Sequence, residues 1–193
     1  MFILGVTLMN PPNTSREEIM RVSRKIVSEK GLPALNMRTL AKECGIALGT
    51  LYNYYSDKDE LVVAAIESVW QDILEKSAPD SGVRFSQYVT QIYARILSGL
   101  KDYPDFFAAH SISVAGSAKG KARGTMERCF GKIRSELHAA LREDKNVDRS
   151  IFSETFREED LIEHILDTIT ISIINGKPDC TVLTEILDRL LYR

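Results

Sequence analysis

The sequence predicts an all-α fold of about nine helices, because helix signals recur along the whole chain while strand patterns do not. Apolar residues return at intervals of three and four positions, which places them on one face of a helix. Residues that can cap a helix precede the first stripe, where Ser15 has Glu18 three positions later. The pattern predicts an N-terminal arm (residues 1–13), a three-helix unit (14–60) and a larger helical bundle (61–193).

The composition is that of an ordinary soluble globular protein, with 193 residues, 27% charged and 44% hydrophobic. The formal net charge is −2, and the first 60 residues hold eight basic and seven acidic side chains. Cys44, Cys129 and Cys180 lack the spacing of metal ligands and indicate reduced cysteines. No apolar run approaches the roughly 20 residues of a membrane span. We therefore expect a cytoplasmic protein without a metal, a cofactor or a membrane segment.

The most informative stretch is residues 38–61, which reads as two short helices around a glycine turn. Met37, Leu40, Ala41 and Cys44 form the apolar stripe of the first helix, and Gly45 follows where a left-handed residue often ends a helix. The stripe of the second helix begins at Leu48 and continues through Leu51 and Tyr55. This arrangement predicts a helix-turn-helix, in which neighbouring helices support a short second helix.

The opposite face of this second helix carries groups suited to DNA. Gly49, Thr50 and Asn53 point away from the apolar stripe, while Tyr52 and Tyr54 lie on its flanks. An Asn amide can bond to an adenine edge, and Thr can offer its hydroxyl or its methyl group to a base. Tyr hydroxyls can reach phosphates, which fix register without reading sequence.

Lys58 begins the next helix, for which Ser56 or Asp57 can serve as the cap. A lysine beside free backbone amides at a helix start could clamp a phosphate. The alternative is an ordinary solvated surface lysine, as most exposed lysines are.

The run LAKECGIALGTLYNYYSDKDEL resembles the DNA-binding signature of the tetracycline-repressor (TetR/AcrR) family of bacterial transcription regulators. The resemblance covers roughly the first 75 residues. It implies a recognition helix over residues 48–54 of a DNA-binding domain. Two positions depart from the family pattern, since Ala47 replaces a frequent Ser and Leu48 replaces a polar residue. The predicted DNA contacts are Met37, Ala47, Leu48, Gly49, Thr50, Tyr52, Asn53, Tyr54 and Lys58.

The C-terminal bundle is expected to hold a small apolar or aromatic effector, as the resemblance implies. Apolar cavities with a few polar groups are the usual small-molecule sites. The alternative is that aromatic residues at helical spacing are simply core. The candidate effector residues are Trp70, Tyr88, Tyr93, Phe106, Phe107, His110, Met126 and Phe130.

The last two helices carry more apolar surface than one small bundle needs, which favours burial against a partner chain. By resemblance they form the face of a homodimer; alternatively, they complete the core of the monomer. The predicted interface residues are Leu161, Ile165, Thr168, Ile169, Ser172, Leu183, Ile186, Leu187 and Leu190.

These features predict a transcription repressor that a small molecule releases from double-stranded operator DNA. Two alternatives share the same N-terminal features: a DNA-binding regulator without a small-molecule ligand, and an activator. An enzyme on a helical bundle is not favoured, because the sequence shows no nucleophile–base arrangement, metal-ligand set or cofactor loop.

Overall fold

The computed structural model describes residues 14–75, 79–104, 106 and 119–192, without the side chains of 119–126 and 129. These residues contain no β-strand, and the all-α prediction is confirmed. The α-helices in the described ranges are α1 (Arg16–Lys30), α2 (Met37–Glu43), α3 (Leu48–Tyr52), α4 (Lys58–Glu75), α5 (Phe85–Leu100), α6 (Lys119–Glu143), α7 (Glu158–Ile174) and α8 (Thr181–Leu191).

Local capping fixes the start of the first two helices. The Ser15 hydroxyl accepts the Glu18 amide at 3.1 Å, and the Asn36 side chain accepts the Thr39 amide at 3.0 Å. Each bond satisfies one of the amide donors that a helix start leaves without an intrahelical partner. Between α2 and α3 the chain turns at Gly45, whose φ of 67° suits a residue without a Cβ.

Helices α1 to α3 share one apolar core, and α4 closes it from one side. Ile19, Leu40, Leu51 and Leu61 are fully buried, one from each of these four helices. Burial of such a side chain contributes about 1.5–3 kcal/mol relative to an exposed one. Helix α4 runs unbroken from Lys58 to Glu75, across the boundary predicted at residue 60. The N-terminal unit is therefore joined to the bundle through a rigid element.

The second half of α4 packs against α5 and α6. Gly99 of α5 allows a close approach, since a Cβ there would lie 2.6 Å from the Cγ2 atom of Ile73. Helix α7 packs on α6 and α8 packs on α5, so that α5 and α6 are the centre of the bundle.

A buried carboxylate ties three parts of the bundle together. Asp144, just after α6, accepts the Phe85 amide at 2.9 Å and the Tyr192 hydroxyl at 2.6 Å. Phe85 begins α5, and Tyr192 follows α8. Burial opposes ionisation of Asp144, but these hydrogen bonds outweigh it and hold the pKa of the carboxyl below its ordinary value.

The structure corrects one helix boundary. The recognition helix was predicted over residues 48–54, but α3 ends at Tyr52, and Asn53 lies just beyond it with a φ of −72°. The glycine-containing residues 119–124 form the first part of α6, which begins at Lys119. Glycine lowers helix propensity by only about 1 kcal/mol, which packing of the rest of a long helix can offset.

Candidate nucleic-acid interface

Helix α3 presents one buried and one exposed face. Leu51 and, just after the helix, Tyr55 are buried at 0% and 2% exposure, which anchors this face in the core of the N-terminal unit. Thr50, Asn53 and Gly49 are exposed on the other side. The outward orientation that DNA contact requires of these residues is therefore present.

The flanks of α3 differ from one another. Tyr52 is 49% exposed, a large apolar ring on the surface next to the Thr50 and Asn53 face. Tyr54 is half-buried, and its hydroxyl donates to the carbonyl of Thr14 at 2.5 Å. The Tyr54 side chain is therefore held against the start of α1, and its predicted DNA contact stays a prediction.

The predicted DNA contacts around the glycine turn differ in their exposure. Ala47 is exposed and makes no side-chain cap, whereas Leu48 is half-buried against the core. Met37 is only 6% exposed and packs in the hydrophobic core, so its side chain is removed from the predicted DNA contacts. Met37 is buried because it belongs to the apolar stripe of α2, and this stripe faces the core.

Lys58 is exposed at the first position of α4, but the amides around it are not all free. The carboxylate of Asp57 accepts the Glu60 amide at 2.7 Å, and Glu60 in turn accepts the Ser56 amide at 2.7 Å. Hydrogen bonds from the Ser56 backbone and hydroxyl lower the pKa of Glu60, which keeps this carboxylate charged. A phosphate here would meet the Lys58 ammonium beside two carboxylates, and the Glu60 amide is already occupied. The phosphate contact of Lys58 stays a prediction.

The predicted effector residues do not all come together. Trp70 and Phe106 are buried with ring centroids 6.2 Å apart, and the Phe130 ring lies 5.8 Å from Trp70. Tyr88 and Tyr93 line two separate surface depressions, which include none of those three residues. Phe107, His110 and the side chain of Met126 lie outside the described residues.

The predicted dimer residues fall into two groups. Thr168 and Ser172 are half-buried, while Ile186 and Leu190 are exposed. The remaining five are packed inside the subunit on the inner faces of α7 and α8, and all but Ile169 also line the groove between the two helices: Leu161, Ile165, Ile169, Leu183 and Leu187. Their part in a dimer interface stays a prediction.

The exposed apolar residues of α7 and α8 include three that the sequence reading missed: Ile171, Ile174 and Val182, at 58%, 58% and 75% exposure. The signal was present, because α8 has apolar residues on more than one face and α7 ends in the run Ile171–Ser172–Ile173–Ile174. Only the packing of each helix reveals which of these residues the subunit leaves uncovered.

The structure also bears on the cysteines, on metal binding and on membrane spans. Burial is the main cause that raises the pKa of the Cys44 and Cys180 thiols, which suits packing residues more than reactive ones. Among the described residues no group of His, Cys, Asp and Glu could hold a metal ion. None of the described helices has the length and hydropathy to cross a bilayer.

Comparison with known sequences points to one family. Residues 19–65 match the model of the bacterial regulatory proteins of the tetR family. An uncharacterised HTH-type transcriptional regulator of Haemophilus influenzae is 33% identical over 99 residues, which cover 45% of this chain and 53% of the relative. The alignment thus spans about half the length of that relative.

Comparison with solved structures extends over nearly the whole chain. The structure of BioQ with its natural double-stranded DNA operator has a TM-score of 0.64 at 16% identity, covering 92% of this chain and 98% of BioQ. The multidrug binding protein EbrR in complex with imidazole has a TM-score of 0.60 at 17% identity, covering 92% and 95%. At such identities the likeness shows a shared fold.

Proposed function

Because the chain belongs to the tetR family of bacterial regulatory proteins, which are DNA-binding transcription regulators and not enzymes, we propose that it is a repressor that a small molecule releases from its operator. It would act in the cytoplasm on double-stranded DNA. The observation that carries the proposal is the geometry of α3. Its Leu51 side is buried, and its Thr50 and Asn53 side faces outward.

A homodimer would present two such faces to one duplex. The exposed apolar residues Ile171, Ile174, Val182, Ile186 and Leu190 all belong to α7 and α8. Three of them, Val182, Ile186 and Leu190, line a groove of about 570 Å³ between the two helices. A contiguous apolar surface of this kind marks an interaction site, and a twofold axis would place the same surface on both partners. Two recognition helices would then reach half-sites about 34 Å apart, or a multiple of that distance.

Helix α4 supplies a physical connection between the bundle and the DNA-binding unit. The Trp70 ring packs against those of Phe106 and Phe130. Ser68 and Asp72 lie two positions before and after Trp70 in the same helix. Arg24 of α1 donates to the Ser68 hydroxyl at 2.5 Å and pairs with Asp72 at 3.9 Å. Asp72 also accepts the Tyr103 hydroxyl at 2.7 Å. A shift of α4 at Trp70 would therefore be transmitted to α1 through charged and polar contacts.

The effector we propose is a small apolar or aromatic molecule that inserts at Trp70, Phe106 and Phe130. Buried rings provide apolar area and offset-stacking or edge contacts for such a ligand. Binding there would shift the protein only to the extent that the ligand prefers one position of α4 over the other. EbrR, a multidrug binding protein of the same fold, was solved in complex with imidazole, and this likeness supports a small-molecule ligand for the chain.

A second candidate function is a DNA-binding regulator that has no small-molecule effector. The specific observation in its favour is the direct ring packing of Trp70 with Phe106 and Phe130, which fills the space that an effector would enter.

The decisive experiment is selection of duplexes from a random library about four helical turns long, followed by footprinting of the recovered sequence. We expect one preferred duplex with two related half-sites in inverted orientation. Recovery of duplexes without a shared sequence would contradict the proposed function. Genomic occurrences of the selected site would then separate repression from activation by their position relative to promoters.

The effector is tested on the selected duplex with a panel of small aromatic and apolar molecules. We expect at least one member to weaken binding by about 5-fold to 150-fold, the usual range of allosteric coupling. A spin label at Lys25 of each subunit, an exposed position of α1 outside the predicted DNA contacts, should report a changed distance when that molecule binds. A fixed distance during DNA release would contradict movement of α4, and no response to any member would favour the second candidate.

A further inference from the structure

The guanidinium of Arg16, in the first turn of α1, reaches across to the end of the recognition helix. Its Nη2 atom donates to the carbonyl oxygen of Tyr54 at 2.9 Å. The guanidinium carbon lies 5.2 Å from the centre of the Tyr55 ring, within the range of a cation–π contact. One side chain therefore contacts the two residues that follow Asn53.

A second link runs in the opposite direction. The Tyr54 hydroxyl donates to the carbonyl of Thr14, the residue before the Ser15 cap of α1. Arg16 and Tyr54 thus tie the start of α1 to the end of α3 by two separate hydrogen bonds and one ring contact. We call this set of contacts, formed by Thr14, Arg16, Tyr54 and Tyr55, the α1–α3 clamp.

Helix α3 needs support of this kind because it cannot define its own orientation. It has five residues, far fewer than the roughly 12–15 that an isolated helix needs in water. Ala47 gives it no side-chain cap, and its only buried residue is Leu51. Asn53 lies outside the helix, between Tyr52 and the clamped Tyr54, so the backbone that directs its amide is fixed from one side by the clamp.

We propose that Arg16 is a positioning residue for DNA recognition, which acts by holding Asn53 and Thr50 in the orientation that reads the base edges. This inference rests on the proposed function. Arg16 itself has no role in base contact. Its effect passes through Tyr54 and Tyr55, and it is lost when the guanidinium is removed.

The test measures binding to the duplex that the wild-type protein selects and to a scrambled duplex of equal length. The variants are Arg16→Ala and Tyr54→Phe, with Arg21→Ala as the matched control. Arg21 is an exposed arginine of the same helix, and its guanidinium is paired with Glu18 of that helix. We expect Arg16→Ala to weaken the selected duplex by roughly fivefold to tenfold and the scrambled duplex by less than about twofold. Arg21→Ala should leave the ratio of the two affinities unchanged.

The salt dependence separates positioning from direct phosphate contact. If Arg16 bound a phosphate, its removal would reduce the slope of log affinity against log salt by about one and would weaken both duplexes alike. We expect the slope to stay within the error of the Arg21→Ala control. A reduced slope with equal losses on both duplexes would overturn the proposal.

Hydrogen exchange in the DNA-free protein gives a readout that does not depend on the operator. The Tyr54 and Tyr55 amides both donate to the Leu51 carbonyl, at 3.0 and 3.1 Å. In Arg16→Ala we expect their exchange to accelerate by about tenfold, while the Cys44 amide at the end of α2 exchanges as in the wild type. Unchanged exchange at Tyr54 and Tyr55 would overturn the proposal even if the protein bound no specific duplex.

The pair of variants completes the test. If the two bonds act as one clamp, the double variant Arg16→Ala with Tyr54→Phe should lower the ratio of the two affinities by less than the product of the factors found for the single variants. Effects that multiply independently would contradict a shared clamp. Thermal melting of each variant confirms that the folded fraction is the same at the assay temperature.

Discussion

At the scale of single residues, the exposed face of α3 separates groups that could read bases from groups that could only hold the backbone. Asn53 and Thr50 bring amide and hydroxyl groups, which distinguish base edges in the major groove. Lys58 brings a charge with no geometric preference between bases. Their removal should therefore produce different patterns of loss.

Asn53→Ala should relax the preference at one base pair of each half-site. The free energy of binding to the selected duplex should become less favourable by about 1–3 kcal/mol, because the side-chain amide is the group that bonds a base edge. Binding to duplexes already altered at that base pair should change little. The measurement is a panel of single-substitution duplexes, and equal weakening across the whole panel would contradict base contact by Asn53.

Lys58→Ala should weaken every duplex by a similar factor and reduce the salt slope by about one, as expected for one phosphate contact. The neighbouring carboxylates of Asp57 and Glu60 limit the effect, since they oppose a phosphate at the same helix start. Lys145→Ala, in the loop after α6, is the charge-matched control. Equal salt slopes in both variants would show that Lys58 is an ordinary surface lysine.

At the scale of elements, the two glycines around α3 serve different purposes. Gly45 has a positive φ of 67° and makes the turn between α2 and α3. Gly49 lies within α3, and a Cβ placed on it would meet no atom within 4 Å. The first glycine is therefore required by the backbone of the protein, while the second leaves open space on the face that points outward.

Gly45→Ala should destabilise the folded protein by about 1 kcal/mol, because an L-residue is strained at this φ. Gly49→Ala should raise stability by up to about 1 kcal/mol through helix propensity. Its methyl group should nevertheless weaken binding to the selected duplex if DNA approaches this face closely. Urea unfolding and duplex titration of both variants make the comparison. Unimpaired DNA binding by Gly49→Ala would place the duplex farther from α3 than we propose.

At the scale of the whole molecule, most of the large hydrophobic side chains that the described part of the subunit leaves exposed lie on α7 and α8. Ile186→Glu should raise the dissociation constant of the dimer by at least about tenfold, because a carboxylate in an apolar interface lacks a partner. Thr181→Glu is the control on the same helix, where an acidic residue in the first turn is tolerated. Sedimentation measures the result, and an unchanged dimer in Ile186→Glu would locate the interface elsewhere.

The Asp144 network makes the stability of the bundle depend on pH. The hydrogen bonds from Tyr192 and Phe85 lower the folded-state pKa of Asp144, while burial and the Asp144 carboxylate raise the pKa of Tyr192 to about 12. A lowered carboxyl pKa gives stability that is fully present above the unfolded value of about 3.9 and is lost as the pH falls below it.

Asp144→Asn should therefore reduce the free energy of unfolding by about 1–3 kcal/mol at neutral pH, and by less at pH values below the unfolded pKa. Tyr192→Phe should change stability in the same direction with a smaller pH dependence. Urea unfolding of the three proteins between about pH 3 and pH 7 measures these differences. A constant difference over that range would contradict ionised Asp144 as the group that joins α5 and α8.

The sequence by itself determined the helices, the glycine turn and the outward direction of Thr50 and Asn53. These features follow from local rules, because helix periodicity and capping depend on residues within a few positions of one another. The resemblance in residues 38–61 likewise rested on one contiguous segment. For the same reason the all-α class could be predicted without knowledge of any long-range contact.

Only the tertiary structure decided which side chains of these helices are used for packing. Met37 belongs to the core, Tyr54 is held by Thr14, and Leu161 and Ile165 face the inside of the subunit. Ile171 and Val182 are left exposed by the same packing. A helical stripe shows that a residue is apolar and on one face, but burial depends on which distant helix covers that face. Contacts such as that between Arg16 and Tyr54 join residues far apart in the chain, and no local pattern encodes them.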